Sequence, residues 1–223
     1  MTGTKAKKAR LVNPKRFPMD MARLLCAGLP LLFRTKCITP SGEPYKGRIR
    51  GGAVLAANHT SYADTFVMGT AVWYRRMFFL AAEVVMTSKF RNWLLRGVGA
   101  IRIDRQITDI EAIRRAVEVL KEGHLLGIFP QGGITEGEQI QSLKSGVILI
   151  ALQAGVPIVP MYLCPPKHWY SRRVVVIGQL LDPKEHIQKK FPSTADIDHL
   201  SQLLADEMNQ CAQHHKEQSY EHI

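Results

Sequence analysis

Apolar residues fall along this chain in two alternating rhythms. Short apolar runs at Ala53–Ala57, Met77–Ala82, Ala100–Ile103 and Leu125–Phe129 predict strands buried in a sheet, and Arg173–Ile177 predicts a closing strand. Between the runs stand segments of helical period, around Ser61–Val72, Lys89–Arg96 and Asp109–Lys121. The last is the clearest, because Ile110, Ile113, Val117 and Leu120 recur at helical spacing with charged residues opposite. Ser145–Pro166 carries no charge and is long enough to span a bilayer. Gly155, Pro157, Pro160, Pro165 and Pro166 break its second half, so it divides into a buried helix, Gly146–Ala154, and a buried strand, Val156–Leu163. The two prolines of Val156-Pro-Ile-Val-Pro160 predict an edge or bulged strand beside a cavity. Ile197, Leu200, Leu204 and Cys211 line one side of a docking helix over about Ala195–His215. Strands alternating with helices predict one α/β domain, a central mixed sheet flanked by helices.

Length and composition agree with that reading. The chain has 223 residues, 46% hydrophobic and 22% charged, which excludes disordered and low-complexity classes. Its cysteines, Cys26, Cys37, Cys164 and Cys211, show no paired spacing, which argues against a disulfide framework or structural zinc and fits a reducing compartment.

Charge changes the picture at one end only. The net charge is +11, and residues 1–50 hold 12 Lys/Arg against 2 Asp/Glu, a net +10. A polybasic end calls for an anionic partner, nucleic acid or a phospholipid surface. Its basic residues from Lys5 to Arg16 precede an apolar stretch, Leu24–Phe33, about half the roughly 20 residues needed to span a bilayer. A basic flank beside a short apolar helix has the composition of a segment lying in the headgroup layer; the alternative is a solvated tail followed by a core helix. Asp20 and Arg23 interrupt any signal-peptide pattern. The predicted organisation is a membrane-associating helical arm over 1–38 and an α/β domain over 39–223.

Candidate chemistry gathers where the predicted strands end. Asn58-His-Thr-Ser-Tyr-Ala-Asp64 follows the first strand, and a turn there lets Asp64 accept a hydrogen bond from one ring nitrogen of His59, leaving the other as a base. The alternative is helix capping by Ser61 or Asp64. Gly99-Ala-Ile-Arg-Ile-Asp-Arg105 ends its strand on Arg105, suited to phosphate or to a surface ion pair with Asp104. Phe129-Pro-Gln-Gly-Gly-Ile-Thr135 turns through Gly132 and Gly133, which allow close backbone approach to a ligand.

These blocks, in this order and spacing, resemble the glycerolipid acyltransferase family typified by lysophosphatidate acyltransferases. That family carries H-x-x-x-x-D, a G-x-I-x-I-D-R-like block, F-P-E-G-T-R-S and V-P-[IV]-[IV]-P; the Leu143-Lys-Ser-Gly146 stretch also looks like one of its segments. The resemblance covers residues 50–180. It implies transfer of a fatty acyl group from acyl-CoA or acyl carrier protein to a lysophospholipid hydroxyl, in phospholipid biosynthesis. His59 and Asp64 would be catalytic, and Arg105, Gln131, Gly132, Gly133 and Lys144 substrate-binding. It implies neither metal nor cofactor, no nucleic acid, and peripheral attachment to an anionic membrane on the cytoplasmic face. This chain has Gln131 where the family usually has Glu, and Gly133-Ile134 where Thr-Arg is common, so both charges that help hold the acceptor head are missing. Two alternatives follow: a non-catalytic lipid-binding relative, and an acyl-thioester hydrolase using Ser61, although no G-x-S-x-G elbow occurs.

Overall fold

The computed structural model describes residues 20–21, 35–86, 88–104, 109–133, 140, 143–166, 168, 171–187 and 192–220. The rest of the basic arm, Arg105 and residues 134–139 lie outside the described residues. Seven strands form one sheet: β1 (Lys36–Ile38), β2 (Ala53–Ala57), β3 (Met77–Ala82), β4 (Ala100–Ile103), β5 (Leu125–Ile128), β6 (Ile158–Leu163) and β7 (Val174–Ile177). Their order is β1-β7-β6-β2-β5-β3-β4. All pairings are parallel except β6–β7, so the sheet is mixed, with five strands pointing one way. β1 was not predicted; its three residues, Lys-Cys-Ile, are too few to show a period.

Two layers of helix cover the sheet. On one face, α1 (Asp64–Ala71) buries Met68 against Leu55, Ala57 and Leu125. Beside it α2 (Lys89–Gly97) sets Leu95 over Ala81 and Ala100. The opposite face is deeper. There α3 (Ile110–Lys121), α4 (Gly146–Ala154) and α6 (Thr194–Tyr220) enclose a core that includes Leu120, Leu126, Ile148, Ile158 and Leu204, each at most 1% exposed. Burying a side chain of this size stabilises the fold by about 1.5–3 kcal/mol. A short α5 (Pro183–His186) precedes α6.

Local chemistry explains the boundaries. Asp109 caps α3 by accepting from the Ala112 N–H at 2.9 Å, and it also accepts from the Asp104 N–H at 3.1 Å. The buried stripe of α3 is Ala112, Ala116, Val117 and Leu120, and Ile110, predicted to lie on it, is 74% exposed. Ile110 occupies the first turn, where small Ala112 and Ala116 let the helix approach the sheet and carry its start past the core. Gly155 ends α4 in a left-handed conformation, φ +69°, donating to Ala151 and Leu152 carbonyls.

The expected edge position of the proline-bearing strand is corrected: β6 lies between β2 and β7. Pro157 stands before the strand, where its carbonyl accepts from Val54 N–H at 3.0 Å. Pro160 turns its carbonyl toward Gly178, beyond the end of β7, so its missing N–H falls outside the β6–β7 ladder that starts at Met161. Nor does β6 contribute to the cavity that opens beside β3, β4 and β5.

Arg76, leading into β3, donates to both carboxylate oxygens of Asp20 at 2.7 and 2.9 Å, and Asp20 is 1% exposed. The Asp20 carboxylate that interrupts a signal-peptide pattern thus joins the arm to the domain through a buried, two-pronged ion pair.

Candidate active site

The loops that follow parallel strands emerge on one edge of a sheet, and this edge is where ligands bind in open α/β folds. Central strand β2 delivers His59 there, and its neighbour β5 delivers Phe129 to Gly133. Asn58 ties the end of β2 to the end of β6: its amide donates to the Leu163 carbonyl at 3.1 Å and accepts from the Leu163 N–H at 2.6 Å. With its base so fixed, the chain turns through Thr60 to Ala63 into α1.

That turn brings the predicted pair together. His59 Nδ1 lies 3.1 Å from Asp64 Oδ2, and both residues are buried. The same oxygen accepts from the Thr60 and Ser61 N–H groups at 2.7 Å each. Asp64 therefore serves the turn and the histidine together, but neither it nor Ser61 caps α1, whose N-cap residue, Ala63, makes no side-chain capping bond. A carboxylate can only accept, so Nδ1 carries the proton and Nε2 is left as the basic nitrogen. The ring is clamped from a second side, stacked on Phe129 with centroids 4.1 Å apart and planes at 14°. The Ser61 hydroxyl accepts from the Ala63 N–H at 3.2 Å.

The β5 loop closes onto the dyad through Gln131, whose Oε1 accepts the His59 N–H at 3.0 Å. Gly132 has φ +78° and donates its N–H to the Phe129 carbonyl at 3.1 Å. A Cβ at Gly132 would fall 2.5 Å from Lys144 Cε, so the absence of a side chain lets Lys144 cross the loop. Lys144 donates its own N–H to the Pro130 carbonyl at 2.9 Å. Space around Gly133 is open. Among the described residues, the structure thus brings His59, Asp64, Gln131, Gly132, Gly133 and Lys144 to one edge; the predicted Arg105 lies outside the described residues.

Beneath that edge a cavity of about 750 Å³ runs between the strand ends and α3, α4 and α6. Phe129, Leu80, Ile103, Ile113 and Ile150 give it apolar walls, and Asp104, Lys144 and Asp198 stand among its polar lining. Phe129 therefore touches both the dyad and the cavity. Burial pushes the Cys164 and Cys211 thiols up to about 12 and Cys37 up to about 11, so these three offer no thiolate nucleophile at neutral pH. Among the described residues no group of His, Cys, Asp or Glu could hold a metal ion, and no helix is long and apolar enough to cross a membrane.

Sequence reading missed three contributions: Phe129 as the stacking partner, Asn58 as the anchor of β2, and Gln131 as a backbone acceptor. Phe129 and Gln131 were visible as residues of one block. Their partner, His59, is some seventy positions away, and no local spacing reports such a pair.

The site thus consists of a buried His–Asp pair in the turn between β2 and α1, a glycine turn after β5 and an apolar cavity beside them. Residues 38–164, more than half of the chain, match the family described as Acyltransferase. The chain belongs to the Acyltransferase family. It is 25% identical over 169 residues to the 1-acyl-sn-glycerol-3-phosphate acyltransferase of Bacillus subtilis (strain 168), covering 73% of this chain and 84% of that protein. It is 32% identical over 138 residues to a lyso-ornithine lipid O-acyltransferase of Pseudomonas aeruginosa, 61% of this chain and 49% of that one. The chain thus spans most of the first relative and about half of the second. Its fold is similar to the crystal structure of the 1-acyl-sn-glycerophosphate (LPA) acyltransferase PlsC from Thermotoga maritima. That match has a TM-score of 0.64 and 20% identity, and covers 92% of this chain and 83% of that one.

Proposed function

We propose that the protein moves a fatty acyl group from an acyl thioester, acyl-CoA or acyl carrier protein, to the hydroxyl of a lysophospholipid such as lysophosphatidate. The observation that carries this reading is the buried His59–Asp64 pair at 3.1 Å. The acceptor hydroxyl gives its proton to His59 Nε2 as its oxygen attacks the thioester carbonyl. A C–O bond forms, the C–S bond breaks, and the imidazolium returns the proton to the leaving thiolate. Asp64 stabilises the imidazolium in between. Transfer is direct, and neither Ser61 nor a cysteine carries the acyl group.

The remaining residues receive roles by position. Gly132 uses its N–H within the turn, so the Gly133 N–H is the oxyanion donor of this loop. Arg105 and Lys144 hold the acceptor phosphate, and Gln131 meets the acceptor head with the end of its amide not engaged with His59. The acyl chain occupies the apolar cavity beyond Phe129. Residues 1–38 act as a membrane-associating arm for the 39–223 domain, and the excess of Lys and Arg draws the protein to anionic lipid on the cytoplasmic face.

Thiol release from an acyl thioester, with and without lysophosphatidate, tests the reading. Acceptor-dependent release is expected. Release without acceptor indicates a thioester hydrolase, and none under any condition indicates a lipid-binding relative; either outcome overturns the proposal.

A further inference from the structure

Among the described residues, four of the five exposed large aromatic side chains stand near the starts of two helices, the fifth being Trp73. Tyr62 and Phe66, at the start of α1, are 75% and 66% exposed, and Phe90 and Trp93, at the start of α2, are each 69% exposed. Two pairs of large rings this far out of the core call for a partner other than water.

Their placement is fixed by the fold. Tyr62 follows β2, and α2 follows β3 after one short 3-10 turn, so both pairs sit at the carboxyl ends of parallel strands, on the edge that holds His59. The two helices also share a sheet face. Along β3, Phe79 and Ala81 face α2, whereas Phe78 and Leu80 belong to the core under α3 and α4. Only β5 separates β2 from β3, so the two strand ends lie about 10 Å apart. On α1, Phe66 stands two residues from the buried Met68 and so points to the opposite side, with Tyr62 one turn before it. On α2, Trp93 stands likewise two residues from the inward Leu95. Phe90 is one turn before Trp93, with ring centroids 6.1 Å apart.

Charge on the same helix selects the partner. From Thr87 to Gly99 the sequence has Lys89, Arg91 and Arg96 and no acid. The acid just before, Glu83, is paired with Arg102 at 2.8 Å. Exposed Trp and Phe with flanking cations is the chemistry of a surface that enters the headgroup layer of an anionic bilayer.

We infer that the first turns of α1 and α2 form a second membrane contact, separate from the basic arm, which seats Phe90 and Trp93 in the lipid interface and sets the His59 edge against the bilayer. This rests on the lysophospholipid-acceptor reading above. It adds that the acceptor reaches His59 from the membrane plane between the two aromatic pairs.

The full chain is tested on vesicles of phosphatidylcholine and phosphatidylglycerol whose acyl chains are brominated, at high salt to weaken the arm. Bromine quenches tryptophan at membrane depth, so quenching is expected in the parent protein, retained in Trp73→Phe and largely lost in Trp93→Phe. A Phe90→Ala/Trp93→Ala variant is expected to partition onto vesicles about tenfold more weakly, while turnover of a short-chain lysolipid below its micelle concentration stays within about twofold. Unchanged quenching in Trp93→Phe, or unchanged partitioning in the double variant, overturns the inference. Equal loss on monomeric and vesicle acceptor overturns it too, because α2 is then structural. Quenching lost in favour of concentration-dependent self-association would assign the patch to a second copy of the chain, and also overturns it. If the parent protein transfers no acyl group to any acceptor, the proposed function fails, whereas the quenching result still decides where the membrane sits.

Discussion

In the loop after β2 the side chains that shape the turn are committed: Asp64 Oδ2 alone accepts from His59, Thr60 and Ser61, and Asn58 is bonded twice to Leu163. In the loop after β5 the backbone makes one tight turn at Gly132 and then opens around Gly133, with exposed Lys144 lying across it. The first loop holds one ring nitrogen in a single orientation, which suits the proposed proton transfer; the second leaves room, which suits the proposed recognition of an acceptor head. The two meet in one hydrogen bond, Gln131 to His59 N–H, and in one stack, Phe129 on His59. Substitutions in the rigid loop should therefore damage turnover, and those in the open loop should redistribute preference among acceptors.

The largest effect is expected at the rigid loop's centre. His59→Ala removes the proton acceptor and should lower acyl transfer by about 10²–10⁴-fold, with thermal stability close to the parent's. Turnover is the measurement, and folded His59→Ala protein with near-parental kcat would end the general-base mechanism. Asp64→Asn should do less. An amide oxygen still accepts from Thr60 and Ser61, but the charge that stabilises the imidazolium is gone, which amounts to roughly 1.5–3 kcal/mol, or about 10- to 150-fold in kcat. If Asp64→Asn matched the loss in His59→Ala, the carboxylate would have to be more than an orienting group.

The rigid loop was also the more legible of the two. The strand at Ala53–Ala57 and the histidine and aspartate five positions apart specify local geometry, so reading along the chain recovered the dyad and the bounds of β2, β3, β4 and α4. What escaped was long-range. The position of β6 depends on which side of the strand Pro160 leaves without a donor, and periodicity carries no sign of side. The exposure of Ile110 depends on where the sheet ends beneath α3, and the His59–Phe129 stack on two strands becoming neighbours. The charge surplus of the first fifty residues was legible as a number, but the Asp20–Arg76 ion pair was not, because it joins positions 56 residues apart.

In the block after β4, outside both loops, Arg105→Ala tests recognition apart from chemistry. Loss of one charge-assisted contact to phosphate should raise the KM for a phosphate-bearing acceptor by about 10- to 150-fold while leaving the KM for the acyl thioester nearly unchanged. Steady-state kinetics with each substrate varied in turn makes the measurement. Equal damage to both substrates would make Arg105 a structural partner of Asp104 and would weaken the division of labour between the loops.

The smallest effect falls on the residue that joins them. Gln131→Glu preserves a carbonyl-type oxygen for the His59 N–H, so the dyad and the thermal stability should be unaffected. What changes is the other end of the side chain, where an NH2 donor becomes an oxygen that can only accept and carries negative charge. Acceptor heads that present phosphate oxygen should lose affinity, and heads that present hydroxyl or ammonium donors should gain it. Exchange of a single exposed hydrogen bond is worth about 0.5–1.5 kcal/mol, so the kcat/KM ratio between two such lysolipids should shift roughly 2- to 13-fold. Gln131→Ala separates the two functions of this side chain, since it removes the acceptor for His59 N–H together with the recognition group. It should lower kcat with every acceptor, whereas Gln131→Glu should reorder them. A Gln131→Glu protein that is uniformly more active, with its acceptor ratios unchanged, would show instead that the neutral amide holds back the dyad, and the boundary between the rigid loop and the open one would have to be drawn past residue 131.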